Sequence, residues 1–236
     1  MVLKVYNTMT RKKEVFKPLK NKKLKIFCCG ITPYDYAHIG HAKTYVQFDI
    51  IVKYLRWLGY DVYYLQNITN IDDKIIERAK KEKKDPLKLA EQYTKYFLED
   101  MKALGIDSIN KFAKATEYIL EITSQVKRLI EKGYAYKISD GYYFDLTKFP
   151  DYGKLAKRTY QEAEDSVSRI DENKEKRNRG DFCLLKLSKE GEPYWEDIFE
   201  IEISDKEYKK IIKEAIKNND EELLKLNNID KTKWKK

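Results

Sequence analysis

The sequence predicts an α/β protein, a short parallel sheet followed by a region of helices and a β-hairpin, on three observations. Apolar, strand-like runs alternate with helical periodicity between Lys25 and Asp73, and that order is the signature of parallel strands joined by helical crossovers. Gly30 and Gly59 stand where the first strand must turn and where the first helix must stop. From Asp85 the texture changes to longer amphipathic stretches and a tyrosine-rich hairpin pattern.

Lys25–Cys29 is a short apolar run that enters Gly30, which predicts a buried strand ending at a turn. In Thr44–Leu58 the residues Val46, Ile50, Ile51, Tyr54, Leu55 and Leu58 recur at helical spacing. Tyr60–Ile68 is β-branched and aromatic and predicts the second strand. Thr69 or Asn70 is the expected cap of the next helix, with Asp72 and Asp73 in a first turn where the helix dipole favours acids. Pro86–Leu104 and Lys114–Lys132 are expected helices, the second stopped by Gly133. Tyr134–Tyr136 and Tyr142–Asp145, joined through Ser-Asp-Gly, predict a hairpin with an Asp-Gly turn, its tyrosines packing in a core or interface. Glu162–Gly180 has few apolar side chains and is expected to be a mobile loop. Ile201–Leu226 returns to helical periodicity, and Lys231–Lys236 is a basic end.

Of the 236 residues, 48 are Lys or Arg and 39 Asp or Glu, a formal net charge of +9. That favours polyanions, but an ordinary lysine-rich surface accounts for it equally well. Three cysteines, two of them adjacent, do not make a disulfide framework. The start of the chain has no uninterrupted apolar core of the kind a signal peptide needs, and no window approaches the roughly 20 apolar residues of a membrane span. A cytoplasmic protein with no membrane partner is expected.

Both histidines of the chain, His38 and His41, fall just after this first strand, in AHIGHAKTY. A strand ending at Cys29–Gly30, a loop, and His-Ile-Gly-His opening a helix make an anion site from free backbone N–H groups, the positive end of the helix dipole and two imidazoles. Gly40 lets something flat approach the backbone. Phosphate developing negative charge would be stabilised there, as in nucleotidyl transfer. The plainer readings are two exposed histidines at a helix start, a buried core cysteine at Cys29, strand packing at Cys28, helix-start acids at Asp72 and Asp73, and an N-cap at Thr69.

CGITPYDYAHIGHAKTY, FDIIVKYLRWLGYDVYYLQNITNIDDKIIERA, YFDLTKFPDYGKLAKR and DFCLLKLSKEGEPYW occur in an order and at a spacing that resemble the cysteinyl-tRNA synthetases, a branch of the class I aminoacyl-tRNA synthetases with the HIGH motif. The resemblance covers Val5–Trp195. It implies a partial Rossmann-like nucleotide-binding region over 1–110, a connective-peptide-like insertion over 111–198, and a tail over 199–236 unlike the family. It also implies a ligase that activates cysteine with ATP and Mg²⁺ and transfers it to tRNA(Cys). His38 and His41 match the histidines that stabilise the ATP phosphates, and Gly40 the glycine beneath the adenine. Cys29 matches the zinc ligand whose metal grips the substrate thiolate, a soft ligand that zinc prefers to a hydroxyl. Thr69 falls in the segment lining the amino-acid pocket, and Asn70 stands where the family usually has Asp.

After EPYW the likeness stops. The family's GWHIECSAM, HHENE and KMSKS segments have no counterpart, and no histidine follows His41. KLSKE at Lys186–Glu190 lies inside the DFCLLKLSKEGEPYW match, and Cys183 precedes EPYW, so neither stands in for the missing lysine loop or zinc ligand. Zinc held by this chain alone is therefore not expected; the chain is read as a truncated form of such a ligase, or as part of a split one whose missing half a second chain supplies. The alternatives are a relic that binds nucleotide or RNA without catalysis, and a cysteine-adenylating ligase for a non-tRNA acceptor.

Overall fold

The computed structural model describes residues 2–157 and 173–195. The expected helix in Ile201–Leu226, the basic end, and 162–172 of the expected loop lie outside the described residues. No helix among the described residues is long and apolar enough to cross a membrane.

The chain opens with an antiparallel hairpin that its sequence did not announce, β1 (Lys4–Asn7) and β2 (Lys12–Val15). Both strands are short and mostly exposed, so they lack the apolar run that marks a buried strand. Leu3 and Phe16, just outside the strands, pack against the main core, and the Phe16 N–H donates to the Leu3 carbonyl at 2.9 Å.

The predicted alternation follows. β3 (Lys23–Cys28) leads through a loop to α1 (Ile39–Trp57), then β4 (Asp61–Ile68), α2 (Asp73–Glu82) and α3 (Pro86–Ala103). β3 and β4 are parallel, with Ile26 opposite Tyr64 and Cys28 opposite Gln66. A third strand, β5 (Lys111–Lys114), pairs in parallel with the other side of β4, so the sheet order is β3-β4-β5 and the sheet reaches past residue 110. One face of this sheet is the core: Cys28, Val62 and Tyr64 meet Tyr45, Val52 and Leu55 of α1 and Phe97 and Met101 of α3.

Several boundaries move, each for a local reason. α1 begins at Ile39, ahead of the periodic stretch from Thr44, because His38 caps it, in line with His-Ile-Gly-His opening a helix. α2 is capped by Asp72, whose carboxylate accepts the Lys74 N–H at 2.9 Å; Thr69 and Asn70 are engaged elsewhere. The expected helix from Lys114 starts only at Ile119, as α4 (Ile119–Glu131), since Lys114 ends β5 and Ala115–Glu117 is a 3₁₀ turn.

Beyond α4 stands a three-stranded antiparallel sheet, β6 (Ala135–Ile138), β7 (Gly141–Phe144) and β8 (Phe182–Lys186). Its tyrosines Tyr136, Tyr142 and Tyr143 are buried, as expected. The turn is Ser139–Asp140, and Gly141 already belongs to β7, opposite Ile138. The segment 173–181, part of the expected mobile loop, is held by a polar network. Asp181, fully buried, accepts from the Tyr136 hydroxyl at 2.6 Å, the Leu146 N–H at 2.9 Å and the Asn178 N–H at 3.1 Å. Arg177 lies 4.2 Å from the Tyr136 ring centroid.

Candidate functional site at the carboxyl ends of the parallel strands

β3 and β4 run in the same direction in direct register, so their carboxyl ends open at the same edge, where open α/β sheets hold their ligands. The loop leaving β3 is pinned there. The Gly30 N–H donates to the Asn67 side-chain oxygen at 2.8 Å, the Asn67 amide donates to the Thr69 hydroxyl at 3.1 Å, and the Thr69 N–H donates to the Ile31 carbonyl at 2.9 Å. A Cβ at Gly30 would stand 1.7 Å from the Asn67 carbonyl oxygen, so only glycine allows this approach. Cys29 and Thr69 are thereby brought to the two sides of one loop root.

The loop then carries the chain to His38 and the start of α1. Nδ1 of His38 accepts the Gly40 N–H at 3.1 Å, and Nδ1 of His41 accepts the His38 N–H at 3.2 Å, a capping box made from two imidazoles. The rings stack with centroids 4.0 Å apart and planes 27° apart. With both Nδ1 atoms accepting, the hydrogen-bond network assigns each neutral ring its proton on Nε2. The helix start therefore presents two Nε2–H donors, while the N–H groups of His38 and Gly40 are taken up by the two imidazoles and those of His41 and Ala42 by the His38 carbonyl. Burial, and secondarily the neighbouring His38, lower the pKa of His41 and favour its neutral form. A Cβ at Gly40 would meet the His38 ring at 2.9 Å, so in this structure the flat group that Gly40 admits is His38 itself.

Beneath His41, Tyr45 stacks at 6.3 Å and is itself buried. Burial, with a smaller contribution from Cys28 and Cys29, pushes its hydroxyl up to about 12 and keeps it protonated at neutral pH. The arrangement is a donor-rich mouth suited to an anionic group.

A family model for the catalytic domain of class I (C) tRNA synthetases matches residues 15–200. The chain belongs to this family. It is 50% identical over 194 residues to a cysteine–tRNA ligase of Thermoplasma acidophilum, covering 82% of this chain and 43% of that protein. It is also 50% identical over 198 residues to a cysteine–tRNA ligase of Thermococcus kodakarensis, covering 83% of this chain and 41% of that one. Among solved structures, Mycobacterium tuberculosis methionyl-tRNA synthetase in complex with methionyl-adenylate is similar at 22% identity and a TM-score of 0.45, over 53% of this chain and 24% of that one. The chain thus spans about two-fifths of the length of the curated relatives it matches.

The members of the family motif stand at this edge as follows. His38 and Gly40 are exposed, His41 and Thr69 half-buried. Cys28 points into the core and Cys29 is exposed, so the reading of Cys29 as a core residue is corrected while that of Cys28 as strand packing holds. Among the described residues no three His, Cys, Asp or Glu side chains stand together as a metal site. The described residues do not fit zinc, which wants about four ligands; Cys29 would be a single one.

Three contributors to the site, Asn67, Tyr45 and Tyr36, escaped the sequence reading, and Asn70, expected as a helix cap, serves it in another way. Asn67 was hidden inside a strand pattern and Tyr45 inside a helix stripe. Asn70 donates to the Thr116 hydroxyl at 2.7 Å and accepts the Thr116 N–H at 3.1 Å, tying the β4 exit to the β5 exit. Tyr36 sits against Tyr93 and Tyr96 of α3 at 5.3 and 5.2 Å, bracing the loop. An amide just past a strand end and tyrosines in the loop were the available signals. Lys186, in KLSKE, ends β8 and is ion-paired with Asp73 at the start of α2.

Proposed function

We propose that this chain is the amino-terminal, nucleotide-binding part of a cysteine–tRNA ligase, which activates cysteine with ATP and passes it to tRNA(Cys). The observation that carries the reading is the imidazole capping box at the carboxyl edge of a parallel sheet, in a chain half identical to cysteine–tRNA ligases. The triphosphate lies against the start of α1, where the Nε2–H groups of His38 and His41 donate to it at the positive end of the helix dipole. As the cysteine carboxylate attacks the α-phosphate and pyrophosphate departs, these donors take up the charge that develops. No general base is needed, since a carboxylate is already ionised at neutral pH. Thr69, fixed by Asn67, borders the amino-acid pocket, and Cys29 faces the substrate side chain. Magnesium arrives with the triphosphate and offsets part of its charge; no residue of this chain is assigned to it. Gly40 makes room for the adenine once the His38 ring shifts. The remaining three-fifths of the relatives' length, supplied by a second chain or by further polypeptide, completes the site.

The test is cysteine-dependent ATP–pyrophosphate exchange, with this chain alone and with the complementary part of a relative added. Exchange is expected only in the mixture, and His41→Ala is expected to lower it about 100-fold or more, the scale of one lost transition-state donor. Exchange by the chain alone would remove the need for a complement. None in any mixture would favour a non-catalytic nucleotide-binding protein, and full rate in His41→Ala would take that ring out of the mechanism.

A further inference from the structure

The positive charge of the chain is not spread along it. Residues 1–25 hold nine lysines and arginines against a single acid, Glu14, so eight of the nine net positive charges fall in about a tenth of the sequence. All nine basic side chains are exposed. Lys12, Lys13, Lys17, Lys20, Lys22 and Lys23 form no ion pair with any described residue, whereas Lys53, Lys84 and Arg78 elsewhere do. Glu14 is occupied within the hairpin, accepting from Asn7 at 3.0 Å and from the Thr10 hydroxyl.

The register of the hairpin sorts these residues by side. Lys4 is opposite Val15 and Tyr6 opposite Lys13, while Val5 is opposite Glu14 and Asn7 opposite Lys12. Side chains alternate along a strand, so Leu3 and Phe16, which pack on the core, belong to the second set, and Lys4, Tyr6 and Lys13 face outward together. Tyr6, 56% exposed, offers its ring on that outward side, where a flat group can stack on it. The hairpin is a firm platform, since Phe16 meets Tyr60 edge-on at 5.8 Å.

Exposed cations on one side of the hairpin, with its single acid, Glu14, on the other side and a ring set beside them, match the recognition of a nucleic-acid backbone with an adjoining unpaired base. We propose that the β1–β2 hairpin and the lysines that follow it form an RNA-binding surface separate from the histidine mouth, gripping phosphates through Lys4, Lys13 and Lys17 and stacking a base on Tyr6. The surface is read from charge and register; the choice of RNA as its occupant rests on the synthetase reading. An acidic protein segment would satisfy the lysines but would leave Tyr6 without a role.

The experiment uses the full chain and a fluorescein-labelled cysteine tRNA transcript, with affinity read by anisotropy from 50 to 250 mM KCl. Changing Lys4, Lys13 and Lys17 together to Ala is expected to weaken binding about tenfold or more and to flatten the log–log salt dependence by about 2, at roughly 0.7–0.9 for each phosphate that a lysine no longer neutralises. The same three changed to Arg should bind as the parent does, and Tyr6→Ser should weaken binding with the salt slope unchanged. Binding of a fluorescent ATP analogue should survive all of these and be lost in His41→Ala, which in turn should keep its RNA affinity. An unchanged slope in the Ala variant, or loss in the Arg variant, would overturn the surface. Tighter binding of poly-glutamate than of RNA would overturn it in favour of an acidic protein. Absence of RNA binding with ATP binding intact would remove this surface while leaving the nucleotide site standing.

Discussion

Because Nδ1 of His41 accepts the His38 N–H, the ring serves α1 only while that nitrogen carries no proton. Burial, with the nearby His38, already lowers its pKa from the ordinary 6.5, so the unfolded chain binds this proton more readily than the folded one. Stability linked to the ring is therefore complete above about pH 6.5 and falls as the pH drops through that value toward the lower folded one. A cap of this kind is worth about 1 kcal/mol, which in a protein of this size is about 2–4 °C of melting temperature. His41→Gln keeps an acceptor at the same position without a titrating proton. Melting curves from pH 7.5 to 5 should show the parent losing those few degrees relative to His41→Gln; parallel curves would show that the ring does not hold the helix. The same chemistry bears on the proposed site, since a neutral His41 would donate to an anion from Nε2 without having first lost its own cap.

At the scale of elements, β8 is the piece that joins distant sequence to the rest. It pairs with β7, and its last residue, Lys186, reaches Asp73 at the start of α2. β8 can lie so close only because position 141 has no side chain: a Cβ there would stand 2.5 Å from the Leu185 carbonyl oxygen and 3.1 Å from the Lys186 Cα. Gly141→Ala is thus expected to cost about 1–3 kcal/mol, the usual range for overpacking, and urea unfolding would measure it. An unchanged midpoint would mean that β8 contributes little to stability. The turn reading of this glycine came from Ser-Asp-Gly, a pattern that the same three letters produce whether glycine serves a turn or a close approach. The strands and helices of the first α/β turn were legible because their apolar residues repeat at periods of two and 3.6. The hairpin of β1 and β2 was not, because its strands are exposed on most positions, nor was β5, four residues long with a lysine at each end. In the site, His38, His41 and Gly40 were legible as a motif. Asn67, whose amide orients both Gly30 and Thr69, was not, because hydrogen bonds across neighbouring strand ends leave no period in a sequence. The concentration of charge in residues 1–25 was in plain view and was hidden by the total.

For the whole molecule, the parallel sheet is covered on one face only by described residues. Lys23, Lys25 and Phe27 of β3 and Asp61 and Tyr63 of β4 lie on the opposite face, and Phe27 is 57% and Tyr63 45% exposed. β3 is also an edge of the sheet as described, so alternate N–H and C=O groups along it face away from β4. A parallel sheet is ordinarily covered on both faces, and these strands carry rings rather than an unbroken row of charges on the far one. If the remaining part of the relatives' length completes this domain, it should add a strand beside β3 and lay apolar side chains over Phe27 and Tyr63. Hydrogen exchange followed by mass spectrometry can test this without any activity. In the chain alone, peptides from β3 should exchange faster than those from β4, which is paired on both sides. On adding the complementary polypeptide, protection should rise in β3 and stay nearly level in β4. A rise confined to other segments would place the complement elsewhere, and the exposed β3 edge would then need a different occupant.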